Sequence, residues 1–223
     1  KIRVKIDLLE NWEYHSSFGK NKSQEFYVDQ EQLYSSFFVG GDFRRYEFDY
    51  KGKPVYFLTR GEWENISDEE VLEVLNETIE SQYAFWNDSI NKHFSVLLMP
   101  TFETNGYSIG GSGLTNSFIS FASNNAYLKL KDLKWLYNHE LMHKWLSQAI
   151  KIETEVTDYW FSEGFTDYYA YKLMLKNGTI SIEDYINAYN EKVLKPHYTS
   201  RIGSIPNSEL TFKNYWSDYA YQK

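Results

Sequence analysis

The feature that most constrains this chain is five residues long: His139-Glu140-Leu141-Met142-His143. Two histidines four positions apart stand one above the other on a helix face, where both imidazoles reach a single ion. The pattern H-E-x-x-H therefore asks for a helix at this point and for a metal held by it. Glu140 lies beside the first histidine, close to a water activated by the ion, and is placed to take that water's proton without ligating the metal. The alternative is a chance meeting of two helix histidines and a surface glutamate. An independently expected helix, capped by Asp132 and running to about Ile150, surrounds the motif and favours the metal. The chain has no cysteine, so disulfides and thiolate ligands are excluded and the remaining donors must be His, Asp or Glu.

At 223 residues the chain is long enough for one large domain with a core of its own. A net charge of −8, from 23 basic and 31 acidic residues, argues against nucleic acid as the main partner. No apolar run approaches the roughly 20 residues that span a bilayer. The chain begins at Lys1 without a signal-peptide pattern and is expected to be a processed or trimmed piece. A secreted, periplasmic or cell-surface location is expected over a cytoplasmic one; oligomeric state is not legible. An aromatic content of 19% suits either an aromatic-lined groove or a β-rich core.

Along the chain, Ile2, Val4, Ile6 and Leu8 alternate with polar residues, as in a half-buried strand. Phe26 to Val28 and Tyr34 to Val39 are further strand candidates. Gly40-Gly41-Asp42 is a turn signal that would return Phe43 to Phe48 as the hairpin partner. Pro54 to Thr59 reads as a strand. Ser67-Asp68-Glu69-Glu70 is a capping box, and Val71, Leu72, Leu75, Ile79 and Tyr83 follow at helical spacing, which predicts an amphipathic helix over 68–86. Val96 to Met99 is a buried strand expected to stop at Pro100, residues 105–113 a Gly-rich loop, and Leu114 to Phe121 an edge strand. Further helices are expected over Ser162 to Lys176, stopping at Asn177-Gly178, and from Ser181 to before Pro196. Strands first and helices later indicates α+β.

A catalytic zinc takes three protein ligands and keeps a fourth position open. Trp160-Phe161-Ser162-Glu163-Gly164-Phe165-Thr166-Asp167-Tyr168-Tyr169 offers the third. Taken alone, Glu163 reads as a helix-start glutamate stabilised by the macrodipole; after H-E-x-x-H it reads as a ligand from the next helix.

Together, His139 to His143 and Trp160 to Tyr169 resemble the gluzincin metallopeptidases, closest to the glycyl aminopeptidase family, with the aminopeptidase N and leukotriene hydrolase group as relatives. Residues 144 to 162 separate the two motifs, one more than is usual in the wider group. The resemblance spans roughly residues 54–223. It implies a thermolysin-like zincin catalytic domain over 54–223, cut short at its C-terminus, preceded by a β-rich segment over 1–53. It implies one zinc per chain on His139, His143 and Glu163, peptide or protein substrates, and hydrolysis by a metal-activated water with Glu140 as general base. It also implies that Asp167, four positions after Glu163, accepts the outer N–H of the first histidine; a solvated helix aspartate is the other reading. Tyr221, in the terminal Tyr221-Gln222-Lys223, would donate to the developing oxyanion, with Tyr198, Tyr215 and Tyr219 as rivals.

The resemblance further places Gly110 to Asn116 on a Gly-rich edge strand, with Gly111, Gly113, Leu114 and Thr115 facing substrate by strand addition; a simple glycine turn is the alternative. Where that family carries a Glu for the substrate's amino group, this chain has Thr115, which opens the question of aminopeptidase-like against relaxed specificity. Glu103 is the nearest upstream acid that would stand in for it. Two other functions fit the same residues: another hydrolase, such as an epoxide hydrolase, or a non-catalytic zinc-containing peptide-binding domain.

Overall fold

Val55 to Thr59 are all buried, and so are Phe94 to Leu98. Runs buried on both faces belong to the middle of a covered sheet. The computed structural model describes residues 2–7, 9–103 and 106–218, with the backbone alone at Glu155. The chain forms two compact units, Lys1–Leu141 and Met142–Lys223.

The first unit opens with β1 (Ile2–Lys5), β2 (Glu13–Ser16) and β3 (Ser23–Phe26), then a short helix α1 (Gln30–Tyr34) and β4 (Phe38–Gly41). β1 pairs with β3 and β2 with β4, each as a two-stranded antiparallel ladder. A five-stranded sheet follows, built from β5 (Arg44–Tyr50), β6 (Lys53–Thr59), β7 (Phe94–Thr101), β8 (Ile109–Leu114) and β9 (Ser117–Ser123) in the order β5-β6-β7-β9-β8. β6, β7 and β9 run parallel, and antiparallel β5 and β8 close its two sides. Helix α2 (Asp68–Phe85) makes the crossover between β6 and β7. Its expected capping box is present: the Glu70 N–H donates to Ser67 Oγ at 3.1 Å, and the Ser67 N–H to Glu70 Oε2 at 2.8 Å.

Side chains alternate across the sheet. Tyr56, Leu58 and Leu97 join Phe37 and Phe43 in one cluster, against which Leu114 and Ile119 pack. Val55, Phe57, Val96 and Phe118 are fully buried, as are Val71, Val74, Leu75, Ile79 and Tyr83 at helical spacing on α2. Helix α3 (Leu130–Met142) buries Leu133, Leu136, Tyr137 and Leu141.

The second unit holds α4 (Glu155–Ser162), α5 (Gly164–Lys176), α6 (Ile182–Ala188), a π-helical stretch Tyr189–Leu194, α7 (Lys195–Thr199) and α8 (Phe212–Ser217). α5 buries Ala170, Leu173 and Met174, and Val156, Leu210 and Tyr215 form one buried cluster, with Tyr159, Ile202 and Ile205 against them. Among the described residues no helix is long and apolar enough to cross a membrane.

The architecture is mixed α and β, as the sequence indicates, but several elements differ from the local reading. Tyr34 ends a helix whose N-cap is Asp29, so the strand expected from Tyr34 shortens to β4. β5 does not return on β4: it pairs with β6 around Lys51-Gly52, both with positive φ, which gives the tight hairpin its twist. Pro100 stays in β7, because β6 stops flanking β7 at Leu98 and a missing N–H is tolerated on a free side. Asp132 is not the N-cap of α3. It sits in the first turn and accepts from the Lys129 N–H at 2.9 Å. Residues 109–114 form the edge strand itself rather than a loop, and β9 is interior. Pro196 does not end the last long helix; the π-helical turn precedes it and α7 carries on through it.

Candidate active site

α3 is fixed by its apolar stripe and by a polar contact to α2. Asn138 Nδ2 donates to Thr78 Oγ1 at 3.1 Å, and Gln82 Nε2 donates to the Asn138 carbonyl at 2.7 Å. These bonds set the rotation of the helix, and with it the next two residues. His139 is only 9% exposed and Glu140 only 6%. The ring of Trp135, one turn earlier, lies 5.3 Å from that of His139.

The helix ends at Met142, well short of Ile150, so His143 stands just past its last residue. The chain turns there, with the Trp145 and Leu146 N–H groups both on the Met142 carbonyl at 3.0 Å. This turn brings the Leu146 carbonyl to 3.3 Å from His143 Nδ1. A proton on Nδ1 donated to that carbonyl leaves the Nε2 lone pair free for a metal. Ser147, in the same turn, holds φ at 129°, a strained value for a residue with a side chain. Its Oγ lies 3.4 Å from the same Nδ1.

Glu163 sits at the junction of α4 and α5. Its N–H donates to the Tyr159 carbonyl and its own carbonyl accepts from the Asp167 N–H, so the two helices run on through it. Glu163 Oε2 is 3.7 Å from His143 Nε2. Ligands about 2.0–2.2 Å from a tetrahedral ion lie roughly 3.3–3.6 Å apart, so this spacing is close to that of two atoms on one ion. His139, His143 and Glu163 each offer a ligand atom, all within 4.8 Å of one another. Two imidazoles, one carboxylate and no thiolate match a three-ligand zinc set with one position open. Asp167 follows one turn after Glu163, half-buried.

Edge strand β8 carries the residues expected to face substrate. Gly111 is where it meets the motif: a Cβ at this position would lie 2.6 Å from Glu140 Cδ and 2.7 Å from its Cγ and Oε1. The strand backbone thus rests on the Glu140 carboxyl, and only glycine permits that approach. Gly111 and Ser112 are exposed; Gly113 and Leu114 are half-buried. Thr115 is turned elsewhere. Its N–H donates to the Ser35 carbonyl at 2.6 Å and its Oγ1 to the Gln32 carbonyl at 3.0 Å.

Glu103 cannot replace the glutamate absent at 115. It accepts from Ser123 Oγ at 2.5 Å and from Thr101 Oγ1 at 2.8 Å. Ser123 flanks the Ile109 end of β8, the end away from Thr115. Those hydroxyls, Ser123 first, hold the Glu103 carboxyl below the usual range.

Tyr221 and Tyr219 lie outside the described residues. Of the other tyrosines considered, Tyr215 is packed against Tyr159 in the buried cluster and Tyr198 is exposed. The sequence did not point to Leu146, Ser147, Gln32 or Ser35. Three of these act through backbone carbonyls, which carry no residue signature.

The family model of M61 glycyl aminopeptidase matches residues 132–222. No curated protein sequence matches the chain significantly. Among solved structures, an aminopeptidase N family protein from Idiomarina loihiensis superposes with a TM-score of 0.65 at 20% identity, covering 83% of this chain and 35% of its own. At that identity the likeness speaks for the fold, and the chain spans about a third of that protein's length. Residues 132–222, which hold both motifs, are thus similar to the M61 glycyl aminopeptidase family.

Proposed function

We propose that the chain is a zinc-dependent peptidase with a thermolysin-like catalytic domain over residues 54–223. The observation that carries this reading is the convergence of His139, His143 and Glu163 within 4.8 Å. His139 and His143 would bind through ring nitrogens and Glu163 through a carboxylate oxygen, one zinc per chain. A zinc ion held there supplies Lewis acidity and lowers the pKa of nearby water to about 7.

Glu140 handles the proton. Its carboxylate takes a proton from the attacking water as the oxygen adds to the scissile carbonyl carbon. It then delivers that proton to the amide nitrogen as the C–N bond breaks, leaving a carboxylate and an amine. β8 presents main-chain groups on its free side, so an extended peptide adds to the sheet there. Gly111 brings that peptide close to Glu140. Tyr221 donates to the developing oxyanion, and Asp167 orients an imidazole through its outer N–H.

The test pairs zinc analysis with hydrolysis of a peptide library. Wild-type protein is expected to carry one zinc and to cut peptides, and His143→Ala to lose both. A zinc-loaded protein that binds peptides and never cuts them would turn the reading into a binding domain; cleavage of epoxides but not peptides would make it a different hydrolase.

A further inference from the structure

The edge strand that meets Glu140 is open along part of its length and closed at one end. Its open part is marked by Gly111 and Ser112, both exposed on the terminal strand of the sheet. Its closed end is Thr115, whose N–H and hydroxyl are both taken, by the Ser35 and Gln32 carbonyls. The closing segment, α1 and the residue after it, belongs to the first 53 residues and lies outside the region matched by the family model. A peptide strand added to β8 finds outward-facing main-chain groups at Gly111 and Gly113 and then meets this plug.

Antiparallel pairing is the slightly more stable arrangement per residue, and it sets the peptide's N-terminal side toward Thr115. Three residue steps separate Gly111 from Leu114, about 10 Å at roughly 3.4 Å per residue. Because Gly111 is where the strand touches Glu140, the scissile bond belongs opposite it.

We infer that this site cuts within about three residues of a substrate's N-terminus, because Gln32–Ser35 closes the β8 edge at Thr115; the inference rests on the proposed function. In this reading the chain end reaches the cavity beside the plug, whose described lining holds a single carboxylate. A cavity of about 580 Å³ adjoins the plug, lined among others by Gln32, Thr115, Asn116, Asn21, Asn91 and Lys92. Among the described residues its one acidic lining group is Glu25, which lies 3.3 Å from Arg3. Neutral amides and a lysine give an ammonium no advantage over an acetylated end, since an unpaired charge gains nothing from such a wall.

The experiment incubates the zinc-loaded chain with one twelve-residue peptide in three forms: free, N-acetylated and head-to-tail cyclised. Cut sites are read by mass spectrometry. Cuts confined to the first three bonds of both linear forms, at rates within tenfold of each other, with the cyclic form intact, are expected. Cuts deeper in the linear peptides, or opening of the ring, overturn the plug. A hundredfold preference for the free amine overturns the neutral reception of the chain end. If the linear peptides are cut in either of these ways the proposed function stands and only this inference falls. If no form is cut, the proposed function falls and takes this inference with it.

Discussion

The two compact units are built to different depths. In residues 1–141 the central strands are buried on both faces, and Phe57, Leu58, Leu75, Ile79, Leu98 and Phe118 have no measurable exposure. In residues 142–223 the buried side chains include Ala170, Leu173 and Met174 on α5 and the cluster of Val156, Leu210 and Tyr215. There α6, the π-helical stretch and α7 bury no side chain at all, and Ile182, Ile186 and Tyr198 are exposed. The proposed base, Glu140, stands on the deeply packed unit, held against β8 and anchored through Asn138. Two of the proposed metal ligands, His143 and Glu163, belong to the second unit, whose α6-to-α7 stretch is the thinly packed part. Segments with few buried apolar contacts open at low free energy. In the proposed reading the base stands on the deeply packed unit, and a bound metal would strengthen the unit that carries the other two ligands.

The sharpest way to break this comparison is Glu140→Gln. With the scaffold intact, kcat should fall by about 10² to 10⁴ while zinc content and sheet stability stay at wild-type values. Turnover near wild type would remove Glu140 from the proposed chemistry. Next in size is a pair of core truncations. Leu58→Ala should cost about 2–5 kcal/mol and lower the stability of the whole first unit. Leu210→Ala, at a shallower site, should fall at or below the low end of that range. Urea unfolding followed by separate probes for sheet and helix measures both; equal losses would mean the units are not packed to different depths.

Zinc loading tests the same contrast from the ligand side. At a hundred times its Kd, zinc should stabilise by about 2.7 kcal/mol, read as slowed amide exchange over residues 155–176 with little change in β6 and β7. His143→Ala should abolish that slowing, and uniform protection across the chain would erase the distinction between the units.

The last contrast is a pH dependence of the deep core. His15 is fully buried, with Nε2 2.8 Å from Ser95 Oγ and its ring against Phe37 and Tyr56. Burial first, then the nearby His93, Arg45 and Lys20, push its pKa down to about 3. The folded value lies below the unfolded one near 6.5, so the unfolded chain takes up the proton first as pH falls. His15 therefore contributes its full stability above pH 6.5 and loses it on the way down to about 3, by at most about 1.4 kcal/mol per pH unit. Burial lowers the pKa of neighbouring His93 in the same direction. Replacing His15 with Gln should flatten the acid limb of the stability curve; an unchanged limb would assign the acid sensitivity to other groups.

Residue chemistry at short range was legible without coordinates. The spacing of His139, Glu140 and His143, the capping box at Ser67, the helix start at Ser181, and the stop at Asn177-Gly178 are local, because helix geometry ties residues three and four apart. Glu163 was legible as a ligand candidate because its neighbours Gly164 to Tyr169 carry a motif. Strand pairing was not legible. Phe43 to Phe48 suit a hairpin with either neighbour, and only the closure of the whole sheet selects β6 over β4. Nor could the sequence end α3 at Met142, since nothing between His143 and Ile150 is a strong helix breaker and the turn rests on backbone bonds. The character of the edge strand likewise waited for the fold. The sequence by itself named the candidates for holding a metal and moving a proton, because those abilities reside in single side chains. Only the tertiary structure decided that Gly111 rests on Glu140 and that Gln32 and Ser35 close the strand beside Thr115, because each contact uses a backbone group of a segment about thirty or eighty residues away, and residue type does not say which segments meet.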